Sequence, residues 1–208
     1  GEYAFAYCRD MTEVVLNDTI TEIPQYAFAG CENLTTIDLS KIVTLGDYAF
    51  IENHNLANVD LSSAETIGEY AFVYCSALTG LKLNPNGTEI GEGTFSYCEA
   101  LASVDSSTGA KVVGPYAFAY TAITDIDLSG AETIDDLAFL KEELTPFTVK
   151  LGENLAVLGD NPFAMCQVAS FGVIEPKEFN GVDYSTTNYT YEISDSVRVI
   201  DGSVYCDT

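Results

Sequence analysis

The sequence predicts an α/β solenoid, a chain wound into stacked coils with a parallel sheet on one face and short helical turns on the other. Three observations predict it. The first is self-similarity: the segment GEYAFAYC at Gly1–Cys8 returns as GEYAFVYC at Gly68–Cys75. Looser copies place a phenylalanine at Phe5, Phe28, Phe50, Phe72, Phe95, Phe118, Phe139 and Phe163, with spacings of 23, 22, 22, 23, 23, 21 and 24 residues. A fixed period of that size marks a repeat architecture. The second is that apolar residues keep the same columns from unit to unit. The third is composition: 47% hydrophobic and 12% aromatic residues can fill a core, and no apolar run approaches the ~18 to 20 residues that span a bilayer.

Each column follows from its spacing. Six residues after most of the phenylalanines stand Met11, Leu34, Leu56, Leu78 and Leu101. Further on come Val14, Ile37, Val59, Leu81, Val104 and Ile126, and two beyond these Leu16, Leu39, Leu61, Leu83 and Leu128. The two-residue step is that of a short strand with one buried face. Five residues before each phenylalanine lies Ile23, Leu45, Ile67, Ile90, Val113, Ile134 or Leu158, a second core rung on the returning arm. A glycine then marks the corner at Gly46, Gly68, Gly91, Gly114 and Gly159, where positive φ or a close approach is easiest. The stretch that follows, as in Asp47-Tyr48-Ala49-Phe50, lacks a period of two and reads as a single helical turn. Its alanine lets coils stack closely, and its phenylalanine fills the space between the arms. One coil cannot bury these faces alone, so stability comes from stacking. The period lies in the leucine-rich-repeat window of roughly 20 to 29 residues. A right-handed solenoid of about eight units with one parallel sheet is expected, roughly 40 Å long at the strand spacing.

The joint pattern, Tyr-Ala-Phe-x-x-Cys, then Leu, then a strand of the type Ile-Asp-Leu-Ser, resembles the BspA-like leucine-rich-repeat family over roughly residues 1–174. The resemblance implies a horseshoe-like leucine-rich-repeat solenoid from a bacterial, or sometimes protist, cell-surface or secreted protein that adheres to host or matrix proteins. It brings no catalytic residues and no cofactor. Asn53, Thr121, Glu142 and Pro162 depart from the pattern. Beyond Ile174 the period is lost, so residues 175–208 are expected to form an irregular segment. Asn180-Gly181 and Tyr184–Thr187 read as turns there. Val197–Ile200, the turn Asp201-Gly202, and Ser203–Tyr205 suit a hairpin cap. Gly1 begins in the middle of a unit, at a point equivalent to Gly68, and the native chain is expected to continue upstream.

Charge excludes whole classes of partner. With 32 acidic and 8 basic residues the net charge is −24, which opposes binding to nucleic acid and to anionic lipid, both of which need Lys and Arg against phosphate. Five cysteines, Cys8, Cys31, Cys75, Cys98 and Cys166, share one column three residues after phenylalanine, a ladder rather than the paired spacing of a zinc site. Neighbouring members, Cys8 with Cys31 and Cys75 with Cys98, come within formal disulfide reach, but buried thiols are the preferred reading. Cys206 stands outside the ladder. The single histidine, His54, reads as a loop residue. No Gly-x-Ser-x-Gly, His-Glu-x-x-His or phosphate-cradling glycine motif occurs. No catalytic or metal-binding residue is therefore assigned, and no cofactor is expected.

The acids fall into two columns. Glu2, Asp47, Glu69, Glu92, Asp136 and Asp160 precede the Tyr-Ala-Phe turn, where free N–H groups of a helix start would favour them. Asp38, Asp60, Asp105 and Asp127 lie between the inward residues of the strands and point outward, with Lys82 on the central rung and Asp125 beside Asp127. Like charges one rung apart repel by roughly 0.9 kcal/mol at about 4.8 Å in water. Two readings stand for this face: a polar docking surface for basic protein segments or Ca²⁺, or acids that keep an exposed sheet soluble. The flanking columns are small and polar, with Thr36, Asn58, Gly80 and Ser103 on one side and Ser40, Ser62, Asn84, Ser107 and Ser129 on the other. The absence of rings argues against sugar stacking and against an apolar hot spot. Tyrosines gather instead on the turn arm, in the pairs Tyr3 and Tyr7, Tyr70 and Tyr74, and Tyr116 and Tyr120, either as a recognition stripe or as packing between coils. The functional expectation is a non-enzymatic protein-binding or adhesion module, extracellular or on the cell surface. A structural spacer and a carboxylate-based hydrolase are the rivals.

Overall fold

A strand of two or three residues cannot stand alone, so every coil must hand its backbone hydrogen bonds to its neighbours. In the computed structural model, which describes residues 1–171 and 199–200, this happens on three sides of the coil. The first arm carries strands at Glu13–Val14, Thr36–Ile37, Asn58–Asp60, Gly80–Lys82, Val104–Asp105, Asp125–Leu128, Thr145–Leu151 and Cys166–Phe171. All are paired in parallel, within three groups that break between the second and third strands and between the fifth and sixth. The second break falls beside the 3-10 turn Ser107–Gly109, where Ser106 adopts φ 61°.

The returning arm is also a parallel sheet, and the more continuous one, which corrects the expectation of a single sheet. Glu22–Ile23, Thr44–Leu45, Thr66–Ile67, Thr88–Ile90, Ala110–Val113, Thr133–Ile134, Val157–Leu158 and Val199–Ile200 follow one another without a break. The reason is backbone accounting: the arm that returns the chain needs ladder partners as much as the arm that leaves. The Thr-Ile and Thr-Leu pairs that recur there suit a pleated strand with one exposed residue and one buried.

The third side overturns the helical turns. Among the described residues no α-helix forms. The Tyr-Ala-Phe segment is a run of overlapping three-residue closures. In the second coil the Ala27 N–H donates to the Pro24 carbonyl at 3.2 Å, and the Ala29 N–H to the Tyr26 carbonyl at 3.2 Å. The alternate groups reach across: the N–H groups of Tyr26, Phe28 and Gly30 donate to the carbonyls of Asp47, Ala49 and Ile51 at 3.0, 2.9 and 2.8 Å. A helix would point every N–H along its own axis and leave the coils unjoined. Alternation requires left-handed residues on both sides of the phenylalanine, and Tyr26 at φ 55° and Gly30 at φ 64° supply them. The turn arm and the returning arm are thus laced to the next coil, and the first arm is laced within each of its three groups.

The core sits between the arms. The eight Phe rings stack in sequence with centroids 5.2 to 5.5 Å apart and planes within 16° of parallel, spanning seven full turns. Phe147 adds a tilted ring against Phe139 and Phe163. Leu34, Leu56, Leu78 and Leu101, the inner residues of both arms, and Ala27, Ala49, Ala71, Ala117 and Ala138 are buried around this ladder.

The corner glycines act through space rather than through φ. A Cβ on Gly68 would lie 2.6 Å from the Asp47 nitrogen and 2.7 Å from the Gly46 carbonyl carbon, both backbone atoms of the preceding coil. Gly68→Ala should therefore push two coils apart and destabilise the fold by about 2 kcal/mol, the range of overpacking in a close-packed interior; thermal unfolding of the variant checks this.

At the far end, Val199–Ile200 pairs in parallel with Val157–Leu158. The remainder of the expected hairpin, Asp201-Gly202 and Ser203–Tyr205, lies outside the described residues, as do Cys206, Asn180-Gly181 and Tyr184–Thr187. The expected boundary at residue 174 lies there too.

Candidate functional site

The first-arm strands present their outward residues in register, and the structure brings most of the expected acids onto one face. Asp60 pairs with Lys82 and Lys82 with Asp105, so the lysine stands between two acids. Its Nζ lies 3.3 Å from Asp60 Oδ2. Asp127 pairs with Lys150, whose Nζ lies 2.8 Å from Asp127 Oδ2. Asp125 is exposed and in register with Thr148.

The acidic column also has a structural role that spacing alone did not reveal. Asp38 Oδ1 accepts the Ser40 N–H, Asp60 Oδ1 the Ser62 N–H, and Asp127 Oδ1 the Ser129 N–H, each at 2.9 Å. Each carboxylate closes the turn that ends its strand, as Asp side chains do two residues upstream of a turn N–H. In the fourth coil the role shifts by two residues: Asn84 Oδ1 accepts the Asn86 N–H at 3.0 Å. This explains why Lys82 can replace an acid there. The repulsion expected along the column is accordingly offset within the fold.

The carboxyls respond to these contacts. The Ser40 hydroxyl and N–H hold Asp38 below 3.8. At Asp60 partial burial pushes the carboxyl up, but Ser62 and Lys82 outweigh it and the net shift is downward. Asp127 behaves alike, with burial opposed by Lys150 and Ser129. A carboxyl lowered on folding contributes stability above its unfolded value, and that contribution is lost as pH falls through the folded value. The array should thus lose stability below about pH 4. Asp60→Asn keeps the acceptor oxygen and should leave the turn intact, whereas Asp60→Ala should cost about 1 kcal/mol from the lost hydrogen bond; paired urea titrations separate the two.

Lys150 escaped sequence reading because the unit beginning at Phe139 is 24 residues long and its strand is displaced. The tripeptide Val149-Lys150-Leu151 repeats the form of Leu81-Lys82-Leu83 and was the available signal. Among the described residues, no group of three or more His, Cys, Asp or Glu side chains converges to hold a metal ion. The Ca²⁺ reading of Asp125 and Asp127 therefore gains no third acid, and Asp127 is turned to Lys150.

The acids that precede the turns do not cap a helix. Asp47 Oδ1 accepts the Glu69 N–H of the next coil at 2.9 Å, and Asp136 Oδ1 the Asp160 N–H at 2.6 Å. The direction of the inter-coil bonds reverses here: Gly68 N–H donates back to Leu45, while Tyr48 N–H donates forward to Glu69. The side chain takes the N–H that the reversal leaves over.

The cysteine column is a donor column. The thiols of Cys31, Cys75, Cys98 and Cys166 donate to the carbonyls of Phe5, Phe50, Phe72 and Phe139 at 3.1 to 3.3 Å. Burial pushes the Cys75 thiol up to about 12 and Cys98 well above 9.0, so neither supplies a reactive thiolate. Asn53 takes the column's role with a stronger donor, its Nδ2 lying 2.8 Å from the Phe28 and Phe50 carbonyls. His54 is exposed, with Nδ1 2.9 Å from the Tyr74 carbonyl oxygen.

The tyrosine pairs separate into two rows, one on each side of the phenylalanine ladder. Tyr3, Tyr26, Tyr48 and Tyr70 stack in one row, and Tyr74, Tyr97 and Tyr120 in the other. Packing between coils is therefore realised. Where a row lacks a ring, the preceding one leans on glycine: a Cβ at Gly93 would lie 2.4 Å from Tyr70 Cε1.

Comparison with known proteins agrees with this geometry. No curated protein matches the sequence. A crystal structure of a leucine rich cell surface protein from Faecalibacterium prausnitzii A2-165 shares the fold, with a TM-score of 0.56 at 20% identity, over 75% of this chain and 44% of that one. The chain thus spans less than half the length of that protein. A leucine-rich repeat protein from Bacteroides ovatus ATCC 8483 aligns at 23% identity over 80% of this chain and 56% of its own, with a TM-score of 0.44. The T. pallidum leucine rich repeat protein aligns at 22% identity over 57% and 67%, with a TM-score of 0.45. The model of the BspA type leucine rich repeat region matches residues 1–109 and 62–170 in six copies. With that match over most of its length, the chain belongs to the BspA type leucine rich repeat family.

Proposed function

We propose that this chain is a non-enzymatic protein-binding module of a cell-surface or secreted protein, that residues 1–174 form its solenoid, and that it docks a host or matrix protein on the outward face of the first arm. The observation that carries the reading is a ring-free polar face of the first arm on a family scaffold, with Asp60, Lys82 and Asp105 in register and Asp38, Asp125 and Asp127 on neighbouring coils of the same arm. Within that set Asp105 and Asp125 lie exposed, and the turn-closing role falls to Asp38, Asp60 and Asp127, which makes Asp105 and Asp125 the members to test first. Electrostatic docking of this kind sets association rate and specificity and weakens with salt.

The test is binding to immobilised extracellular-matrix proteins at graded salt. Affinity that falls with salt, and falls several-fold further in Asp105→Asn/Asp125→Asn, supports the face. Binding indifferent to both substitutions overturns it. The spacer reading is favoured by one observation, that Asp38, Asp60 and Asp127 are already engaged in closing turns. A broad screen without any partner, alongside an intact fold, would select the spacer.

A further inference from the structure

The turn arm carries a row of rings that serves the fold and yet remains open to solvent. Tyr3, Tyr26, Tyr48 and Tyr70 stack with centroids 4.7, 4.8 and 5.2 Å apart and planes within 14° of parallel. Their faces are covered by one another, so the row shows its edges and hydroxyls. Tyr26, Tyr48 and Tyr70 are half-buried. All four backbones sit at φ 54–56°, and the N–H groups of Tyr26 and Tyr48 are tied to the next coil. Immediately before these tyrosines in the chain stand Glu2, Asp47 and Glu69. The Tyr70 hydroxyl donates to Glu92 of the following coil. The Tyr70 hydroxyl is thereby engaged, and the row offers the hydroxyls of Tyr3, Tyr26 and Tyr48 with acidic residues beside them in the chain.

We propose that this row docks an arginine- and proline-rich segment of a partner protein in the polyproline II conformation. Such a segment has no internal hydrogen bonds and repeats every three residues in about 9.3 Å. Alternate rungs of the row lie about 9.5 to 10.0 Å apart at the ring spacings of this row, close to that repeat, so every third residue of the segment meets an equivalent ring. An extended β-strand repeats in about 6.7 Å and falls out of step. Prolines offer carbonyl oxygens and no N–H, which suits a row of O–H donors. Arginines at the third positions come beside Glu2 and Asp47 in one phase, or beside Glu69 in the other, and lie against ring edges. The net charge of −24 draws such a segment in, and both partners are preorganised, which lowers the ordering cost. This surface lies on a different arm from the docking face proposed above and stands or falls separately.

The experiment is titration of the isotope-labelled chain with a synthetic peptide of four Arg-Pro-Pro repeats, followed by amide chemical shifts. The expected result is saturable binding with shifts centred on residues 2–4, 25–27, 47–49 and 69–71. It should be about tenfold weaker for four Arg-Gly-Gly repeats, which carry the same charge at the same spacing without the rigid conformation. Tyr48→Phe keeps the stacked ring and Glu69→Gln the side-chain shape; each should weaken binding about threefold. Tyr97→Phe, in the other row, should leave it unchanged. Equal binding of the Arg-Gly-Gly peptide, shifts centred on Asp60 and Asp105 instead, or no shift at millimolar peptide would overturn the proposal.

Discussion

Phe95→Ala should lower the stability of the array by about 3–5 kcal/mol, the cost of emptying a fully buried ring site. Phe95 stands near the middle of the ladder, without solvent exposure, between Phe72 at 5.4 Å and Phe118 at 5.3 Å. Its removal opens a cavity and also severs two stacked contacts. Collapse around the gap is resisted because the turn arm and the returning arm hold this coil to both neighbours by backbone hydrogen bonds. In a stacked array the interface between units holds the whole together. The variant should therefore unfold with a shallower denaturant dependence, as the units on either side of the gap separate in stability. Leu144→Ala offers the contrast. Leu144 is 46% exposed, so its loss should cost no more than about 1 kcal/mol. Urea titrations of both variants decide the matter, and equal losses would show that the ladder does not govern stability.

The second large effect is a rise of stability with pH that depends on Lys141. This lysine is 5% exposed. Its Nζ donates to the Thr121 carbonyl at 2.6 Å and lies 5.6 Å from the Phe147 ring centre. Burial pulls the amine down from 10.5 to about 8, while the Cys166 thiol nearby acts in the opposite sense. Between pH 8 and 10.5 the unfolded chain then holds a proton that the folded chain has released, so stability rises with pH across that window. The full span corresponds to on the order of 2–3 kcal/mol. Cys75 and Cys98 work against it: their folded values are raised above 9.0, and the stability they contribute is lost as pH climbs beyond that value. The raw profile should accordingly crest near pH 9. The difference between the native chain and Lys141→Met isolates the amine, and it should move in favour of the native chain by about 2–3 kcal/mol from pH 7 to 10.5. A difference that stays flat would mean that Lys141 titrates normally.

Lys141 also shows how irregular units hide their chemistry. It sits two residues after Phe139, where other coils place a left-handed tyrosine, glycine, glutamate or methionine. In this longer unit the same position faces inward and carries a buried amine. Nothing in the spacing announces this, because the column is defined by neighbours that this coil does not follow. Lys150 was displaced from view for the same reason. Regular units were transparent by comparison: the inner residues of both arms, the Phe ladder and the Leu column are all where a constant period places them.

The candidate face was half legible. Alternation within strands put Asp60, Lys82, Asp105 and Asp127 on one outward surface, and the structure keeps them there. Their second role was hidden. That Asp38 accepts the Ser40 N–H, or that Asp47 accepts the Glu69 N–H from the next coil, depends on where the backbone leaves groups unpaired. Spacing alone reads the strand acids as a docking or solubilising face and the acids before the turns as helix starts.

By itself the sequence determined the period, the number of rungs, which side chains turn inward and the family. These are consequences of hydrophobic spacing, which recurs through the regular units and needs no knowledge of the neighbouring coil. The tertiary structure decided what the spacing could not: two sheets instead of one, and overlapping left-handed turns instead of helices. The physical reason is that each coil satisfies its backbone through the next. The conformation of a unit is chosen by the demands of stacking, and those demands exist only once two units lie side by side.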